Sequence, residues 1–353
     1  MSDARHEYVV NLHVHSKYSD GTGTMDQVIS AASKHLDILL MNDHDTLAAR
    51  ENGYEGYYGD LLVLVGWEVS GPYNHYLVFN TDHTVKYRWN DPQAFIDDIH
   101  RIGGVGFVAH PHEKGSPLNE GGKVYTWQDW SVNGFDGLEI WNHSSAWKTR
   151  ARTKASAVYH YFFRTWTLLG PEKETLQKWD ELGQTRRLAG VAGSDAHAFG
   201  ARLGPVPISI FQYEISFQAL NTHLLLPKPL TGKVSEDRLS VIEGLVAGSS
   251  FCAHDRLHPA RGFDFWLQNQ GTRRAGQGEE IPLTSGDELA WQLPAKAVAR
   301  LIHNGRLVLE QHGSGRYDAN APGVWRLEAY WPVRWFGLRP WIFSNPVYLR
   351  EAG

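Results

Sequence analysis

The stretch "NLHVHSKYSDG" (residues 11–21) sets His13, His15 and Asp20 at and just beyond the end of an apolar run beginning at residue 8. If that run is a strand, side-chain alternation sends His13 and His15 to the same face. Two imidazoles converging on one face, with a carboxylate just past them, are what a metal ion requires. A single histidine read alone is better explained as a hydrogen-bonded core or surface residue. The question is therefore what the later strands bring to the same place.

Short apolar runs follow at 37–42, 61–68, 75–80, 105–110, 137–142, 187–195 and 205–210. Several are continuous rather than alternating, which suits strands buried on both faces of a parallel sheet. Helical patterns lie between them. Thr24 and Gln27 have capping-box spacing, Asp91-Pro92 starts a helix before a Gly103-Gly104 stop, and 144–182 reads as helical with a break at Gly170-Pro171. This βα alternation predicts an α/β barrel or a doubly wound sheet. The segment 238–248 reads as a last helix. Beyond it the chain changes to short strands bounded by Gly, Pro and Asn, the pattern of a small all-β sandwich. The expected division is residues 1–254 and 255–353.

Metal-capable residues recur at the strand ends: His13 on the first, His44 after the second, Glu68 on the third, His110 on the fifth, and Asp195 with His197 on the seventh. Parallel α/β barrels place their active sites at the C-terminal ends of their strands. Burying so many ionisable groups together costs several kcal/mol per unpaired charge, roughly, unless cations compensate. The donors are imidazole and carboxylate without thiolate, a set suited to Mn, Fe or Zn and unlike a structural zinc site.

Composition narrows the class. The chain has 353 residues, 42% apolar and 21% charged, enough to bury a sizeable core. A formal net charge of −5 argues against general nucleic-acid binding. The one cysteine, Cys252, excludes an internal disulfide and fits a reducing compartment. The beginning "MSDARHEYVV" lacks a signal pattern, and no apolar run reaches membrane-spanning length, so the expectation is a cytoplasmic protein without membrane association.

Taken in order, "HVHSKYSDG", "NDHD", "GWEVS" with "NHYLV", "AHP" and "GSDAH" resemble the motif signature of the PHP (polymerase and histidinol phosphatase) family over roughly residues 8–250. The resemblance implies a distorted barrel of about seven βα units, (β/α)7, carrying two or three divalent metal ions at its C-terminal mouth. The following strands, ending in "PWIFSNPVYL", look like a subgroup of PHP-like metallohydrolases that includes carbamate hydrolases. Carried over position by position, His13, His15, Glu68 and Asp195 would hold one metal. Glu68 would bridge to a second, completed by His75 and His110. Asp20, His44 and His197 would hold a third. Some family members have His where this chain has Asp20, so the third site is richer in oxygen. Asp43 or Asp45, flanking His44, would orient a ligand.

The implied activity is hydrolysis of a small phosphorylated molecule or nucleotide by a metal-bridging hydroxide. The same centre could serve a carbamate, ester or amide carbonyl, or persist as a non-catalytic binding module. His112, Lys114 and Arg202, on loops just past ligands, are the expected substrate contacts, with His112 as general acid. Five tryptophans between 127 and 166 either wall a substrate pocket or pack the core. A homo-oligomer is compatible with the composition.

Overall fold

In a computed structural model, residues 5–88, 90–203 and 205–351 are described. Residues 1–4, 89, 204 and 352–353 lie outside them, and with them the outer ends of both expected domains. The molecule is mixed α/β, with one large sheet and a separate all-β region.

Strands β1 (His6–Val14), β2 (Ile38–Met41), β3 (Leu61–Val65), β4 (Trp67–Glu68), β5 (Tyr76–Phe79), β6 (Val105–Val108), β7 (Gly137–Asn142) and β8 (Ala189–Ala196) surround the site. β1 pairs parallel with β2, and β2 with β3. A parallel bridge from His44 to Glu68 carries the pairing onto β4. From there β4–β5 and β5–β6 are antiparallel, β6–β7 and β7–β8 parallel, and β8 pairs parallel with the C-terminal end of β1. The pairing thus returns to its start.

The antiparallel course of β5 corrects the expectation of parallel strands throughout. Only a short connection separates Glu68 from Tyr76, enough for a hairpin and far too short for a parallel crossover. The reversal has a chemical consequence: His75, preceding β5, stands at the same end of the sheet as the C-termini of the other strands.

The continuous apolar runs have the expected cause. Val10, Leu12, Ile38, Leu40, Leu62, Leu64, Leu77 and Phe79 pack on one side of the sheet. Their alternates Val9, Leu39, Met41, Val63 and Val65 pack on the other, against α1 (Met25–Ala32) and α2 (Pro92–Arg101). The Thr24–Gln27 capping box on α1 and the Asp91 cap with Pro92 on α2 are both present. The region read as one broken helix is α3 (His143–Arg150), α4 (Lys154–Phe162), a short helix Arg164–Thr167 and α5 (Lys173–Gly183). The run at 205–210 is the second strand of a hairpin, β9 (Gly200–Leu203) with β10 (Val206–Ser209).

After β11 (Asn221–Leu226), α6 (Val234–Val246) and β12 (Ser250–Ala253), the chain is all strand. A four-stranded sheet comprises Asp264–Asn269, Thr272–Gly276, Asp287–Gln292 and Gly315–Asp318. It shares a core, including Phe265, Trp291, Leu301, Trp325 and Trp341, with the strands Val298–His303, Gly323–Val333 and Gly337–Ser344. The last of these pairs with β12, which pairs with β11, which pairs with the start of β1. A buried ion pair adds a second tie: Arg326 bonds both oxygens of Asp180 on α5 at 2.8 Å. No helix among the described residues is long and apolar enough to cross a membrane.

Candidate metal centre

All nine expected ligands meet at the strand ends, in four overlapping groups whose ligand atoms lie within 4.8 Å of one another. These are His15, Asp20, His44 and His197; His13, His15 and Glu68; His13, His110 and Asp195; and Glu68, His75 and His110. Glu68 is the hub. One of its oxygens lies 2.9 Å from His13 Nε2, 3.2 Å from His15 Nε2 and 3.4 Å from His44 Nδ1. The other lies 2.8 Å from His75 Nδ1 and 3.3 Å from His110 Nε2. On the outer side, Asp20 lies 3.1 Å from His197 Nε2 and 3.8 Å from both His15 Nδ1 and His44 Nε2.

Three of the nine hold left-handed backbone conformations that a non-glycine residue adopts only at a cost: His13 (φ 65°), His110 (φ 26°) and Asp195 (φ 52°). At His13 the register of β1 on β8 shifts between Leu12 and Val14. Such a bulge re-aims one side chain without ending the strand. Strain concentrated on residues that share a site is the usual mark of function.

Burial works against charge at His13, Glu68, Asp195 and Asp20, and neighbouring charges oppose it. Burial works to lower the pKa of His13, but Glu68, Glu139 and Asp195 outweigh it and raise it well above the usual value. Glu68 and Asp195 are pushed up by burial and pulled lower still by the surrounding imidazoles, His13 first. Asp20, against the same penalty, falls to about 2 through His197 and its neighbours. His15 goes the other way: burial and the positive charges of His197 and His44 depress it to about 3, leaving a neutral, ligand-competent ring.

The donor set fits divalent ions. Both ring nitrogens of His15, and Nδ1 of His44 and of His110, are buried with no hydrogen-bond partner among the described residues. Of these, His15 Nε2 and His44 Nδ1 face Glu68 and His15 Nδ1 faces Asp20, positions that a metal ion would satisfy. Cys252 is buried elsewhere, so no thiolate enters the set. Two or more ions placed here could activate water and polarise a substrate oxygen.

Sequence reasoning missed the residue that holds the centre together from behind. Glu139, in the middle of β7, is buried. One of its oxygens lies 2.9 Å from His13 Nδ1, and the other accepts from the His110 N–H at 2.8 Å and Asn142 Nδ2 at 3.0 Å. The available signal was a lone carboxylate inside the apolar run "GLEIWN". The two aspartates flanking His44, of which one is expected to orient a ligand, lie elsewhere around the centre. Asp43 accepts from the Ser16 N–H and the Ser16 and Ser19 hydroxyls, fixing the turn that carries Asp20, while Asp45 accepts from Ser70.

The groups open into a cavity of about 470 Å³ that Glu113, Lys123, Tyr125 and Lys148 also line. His112, Lys114 and Arg202 are not among its walls. The chain turns after His110, with the Glu113 N–H bonded to the His110 carbonyl at 3.1 Å, and this brings Glu113 rather than His112 to the cavity. His112 instead faces α5, its Nδ1 3.0 Å from Thr175 Oγ1 and its ring stacked on Trp130. Lys114 pairs with Glu172 at 2.7 Å. Arg202, on the β9–β10 hairpin, donates to the Pro205 carbonyl at 3.2 Å. The polar residue the sequence did not single out is Lys148 on α3, its Nζ 2.8 Å from Glu113 Oε1. His143, the first residue of α3, is buried with its ring edge-on to Phe211. Of the tryptophans, Trp127 and Trp141 are core residues, and Trp166 is exposed.

No family model matches the chain, and neither does any curated protein sequence. A solved structure that it resembles is a two-domain protein from Bacteroides vulgatus ATCC 8482 containing a predicted PHP-like metal-dependent phosphoesterase. The identity is 13%, the TM-score 0.43, and the alignment covers 97% of this chain and 96% of that one.

Proposed function

We propose that the chain is a metal-dependent hydrolase that cleaves a phosphate ester of a small molecule or nucleotide. The observation that carries this reading is the convergence of nine imidazole and carboxylate ligands, several with unpaired nitrogens, on one polar cavity. Divalent ions held there, two or three of Mn, Fe or Zn, would supply Lewis acidity toward a phosphoryl oxygen and toward water. His13, His15, Glu68 and Asp195 would hold the first ion. Glu68, His75 and His110 would hold the second, and Asp20, His44 and His197 the third. The ring of strand pairings is read as the seven-unit PHP barrel, and the division into 1–254 and an all-β 255–353 goes with that reading.

The chain's own cations complete the case for an anionic substrate. Burial works to lower the pKa of Lys148, but the charge of Glu113 outweighs it, so the ammonium stays protonated well beyond neutrality. It presents a fixed positive charge to a non-bridging phosphate oxygen, and Glu113 keeps it in place. Lys123 adds a second cation at the wall, with Tyr125 beneath its Nζ, 4.6 Å from the ring centroid. The protein is read as cytoplasmic and as acting on a small molecule rather than on a nucleic acid.

Purified protein with Mn²⁺, assayed against p-nitrophenyl phosphate, its bis-ester and an aryl carbamate, tests the class. Phosphoester cleavage without carbamate cleavage is expected. Carbamate cleavage alone would transfer the same centre to carbonyl chemistry, and bound metal with no turnover on any substrate would leave a binding module.

A further inference from the structure

We propose that a groove beside the metal-ligand cavity binds the apolar arm of the substrate whose ester group lies in that cavity. The proposal rests on the hydrolase reading above. The groove encloses about 430 Å³ and is walled by Trp147 on α3, Val158 and Tyr161 on α4, and Ile208 and Ile210 at the end of the β9–β10 hairpin.

Its relation to the cavity comes from three separate stretches of chain that line both. Leu118 faces the groove, and Asn119 and Glu120 the cavity. Trp147 faces the groove, and Lys148 the cavity. Ala201 and Arg202 face the groove, while Phe199 faces the cavity with its ring stacked on the ligand His197 at 4.6 Å. The two spaces therefore share three stretches of lining chain. In the proposal the substrate crosses this shared rim, with its ester at the ligands and its arm in the groove.

The lining sets the chemistry of that arm. One compartment is built of imidazoles and carboxylates, the other of aliphatic and aromatic side chains. Apolar walls with a few placed polar groups are the normal make-up of a small-molecule site. Among the described residues, the groove's only charged lining residues are Lys154 and Arg202, and no carboxylate lines it. An aromatic or alkyl arm, neutral or carrying a negative charge, is matched. A cationic arm is rejected. Arg202 thereby has a place in recognition, at the far end of the substrate rather than at the phosphate.

The test compares 1-naphthyl phosphate with methyl phosphate in the Mn²⁺-loaded protein. Ala157→Trp, which fills the groove from α4, should lower the ratio of kcat/KM for naphthyl over methyl phosphate at least tenfold. An unchanged ratio overturns the proposal. Should neither ester be cleaved, the phosphoester reading fails by itself, and the metal-free protein decides on the groove. There the anionic aromatic probe 1-anilinonaphthalene-8-sulfonate should bind with a Kd raised at least tenfold by Ala157→Trp and by Arg202→Glu. The second variant lies on a surface hairpin and leaves the core untouched. Equal binding by wild type and the Arg202→Glu protein overturns the groove as an anion-accepting apolar site.

Discussion

Replacing Glu139 by Gln changes one atom and should cost the protein a metal. Two donors, the His110 N–H and Asn142 Nδ2, meet on one carboxylate oxygen, and His13 Nδ1 meets the other. A carboxylate accepts on both sides, and an amide cannot. With the amide oxygen serving the two donors, its NH2 group faces His13 Nδ1. The ring must then carry its proton on Nε2, the atom that faces Glu68 and Asp195. With the amide reversed, His13 keeps Nε2 free, but two buried donors lose their acceptor at about 1–3 kcal/mol each. Either way the first site weakens. The partners of metal-ligating histidines are generally worth 10–100-fold in affinity, about 1.4–2.7 kcal/mol. Competition titration of Mn²⁺ against a fluorescent chelator measures this directly. An affinity within twofold of wild type would show that Glu139 does not support the first site.

Other consequences follow from single contacts. Lys148→Met should leave metal content unchanged and cut phosphoester turnover, and it should lower stability by about 3 kcal/mol in urea because Glu113 loses its buried partner. His112→Ala should leave turnover within twofold, since its ring packs on Trp130 and not in the cavity. A large loss would return it to the mechanism. Arg326→Met should cost about 3–5 kcal/mol of unfolding free energy by stranding buried Asp180, and a neutral result would show that the fork contributes nothing. His223, buried and opposed by that burial, is raised to about 9 by Asp255 and Glu7. A raised histidine stabilises fully below its unfolded pKa, about 6.5, and the contribution fades as pH rises through 9. Wild type should therefore exceed His223→Gln in stability at pH 6 and lose that margin by pH 10, as read by urea unfolding at both.

The elements legible in the sequence were those with local causes. The strands were visible because both faces are apolar, and the starts of α1 and α2 because Thr24 and Asp91 are caps. The ligand residues were visible because histidine and aspartate are conspicuous at the ends of apolar runs. Features set by tertiary geometry were not. Nothing local distinguishes an antiparallel β5 from a parallel one except the length of the connection before it. Nor does "AHPHEK" reveal which of His112 and Glu113 faces the cavity, because a backbone turn decides it. Glu139 was hidden for the opposite reason: it sits mid-strand, where position alone implies packing.

Glu68 and its eight companions are expected to bind divalent ions as one cluster, which is measured by elemental analysis of Mn²⁺-loaded, desalted protein alongside Glu68→Gln. Two or three ions per wild-type chain and a loss of more than one in the variant are expected, because Glu68 contacts members of all four groups. Fewer than one ion per wild-type chain, or equal content in the two proteins, would contradict it.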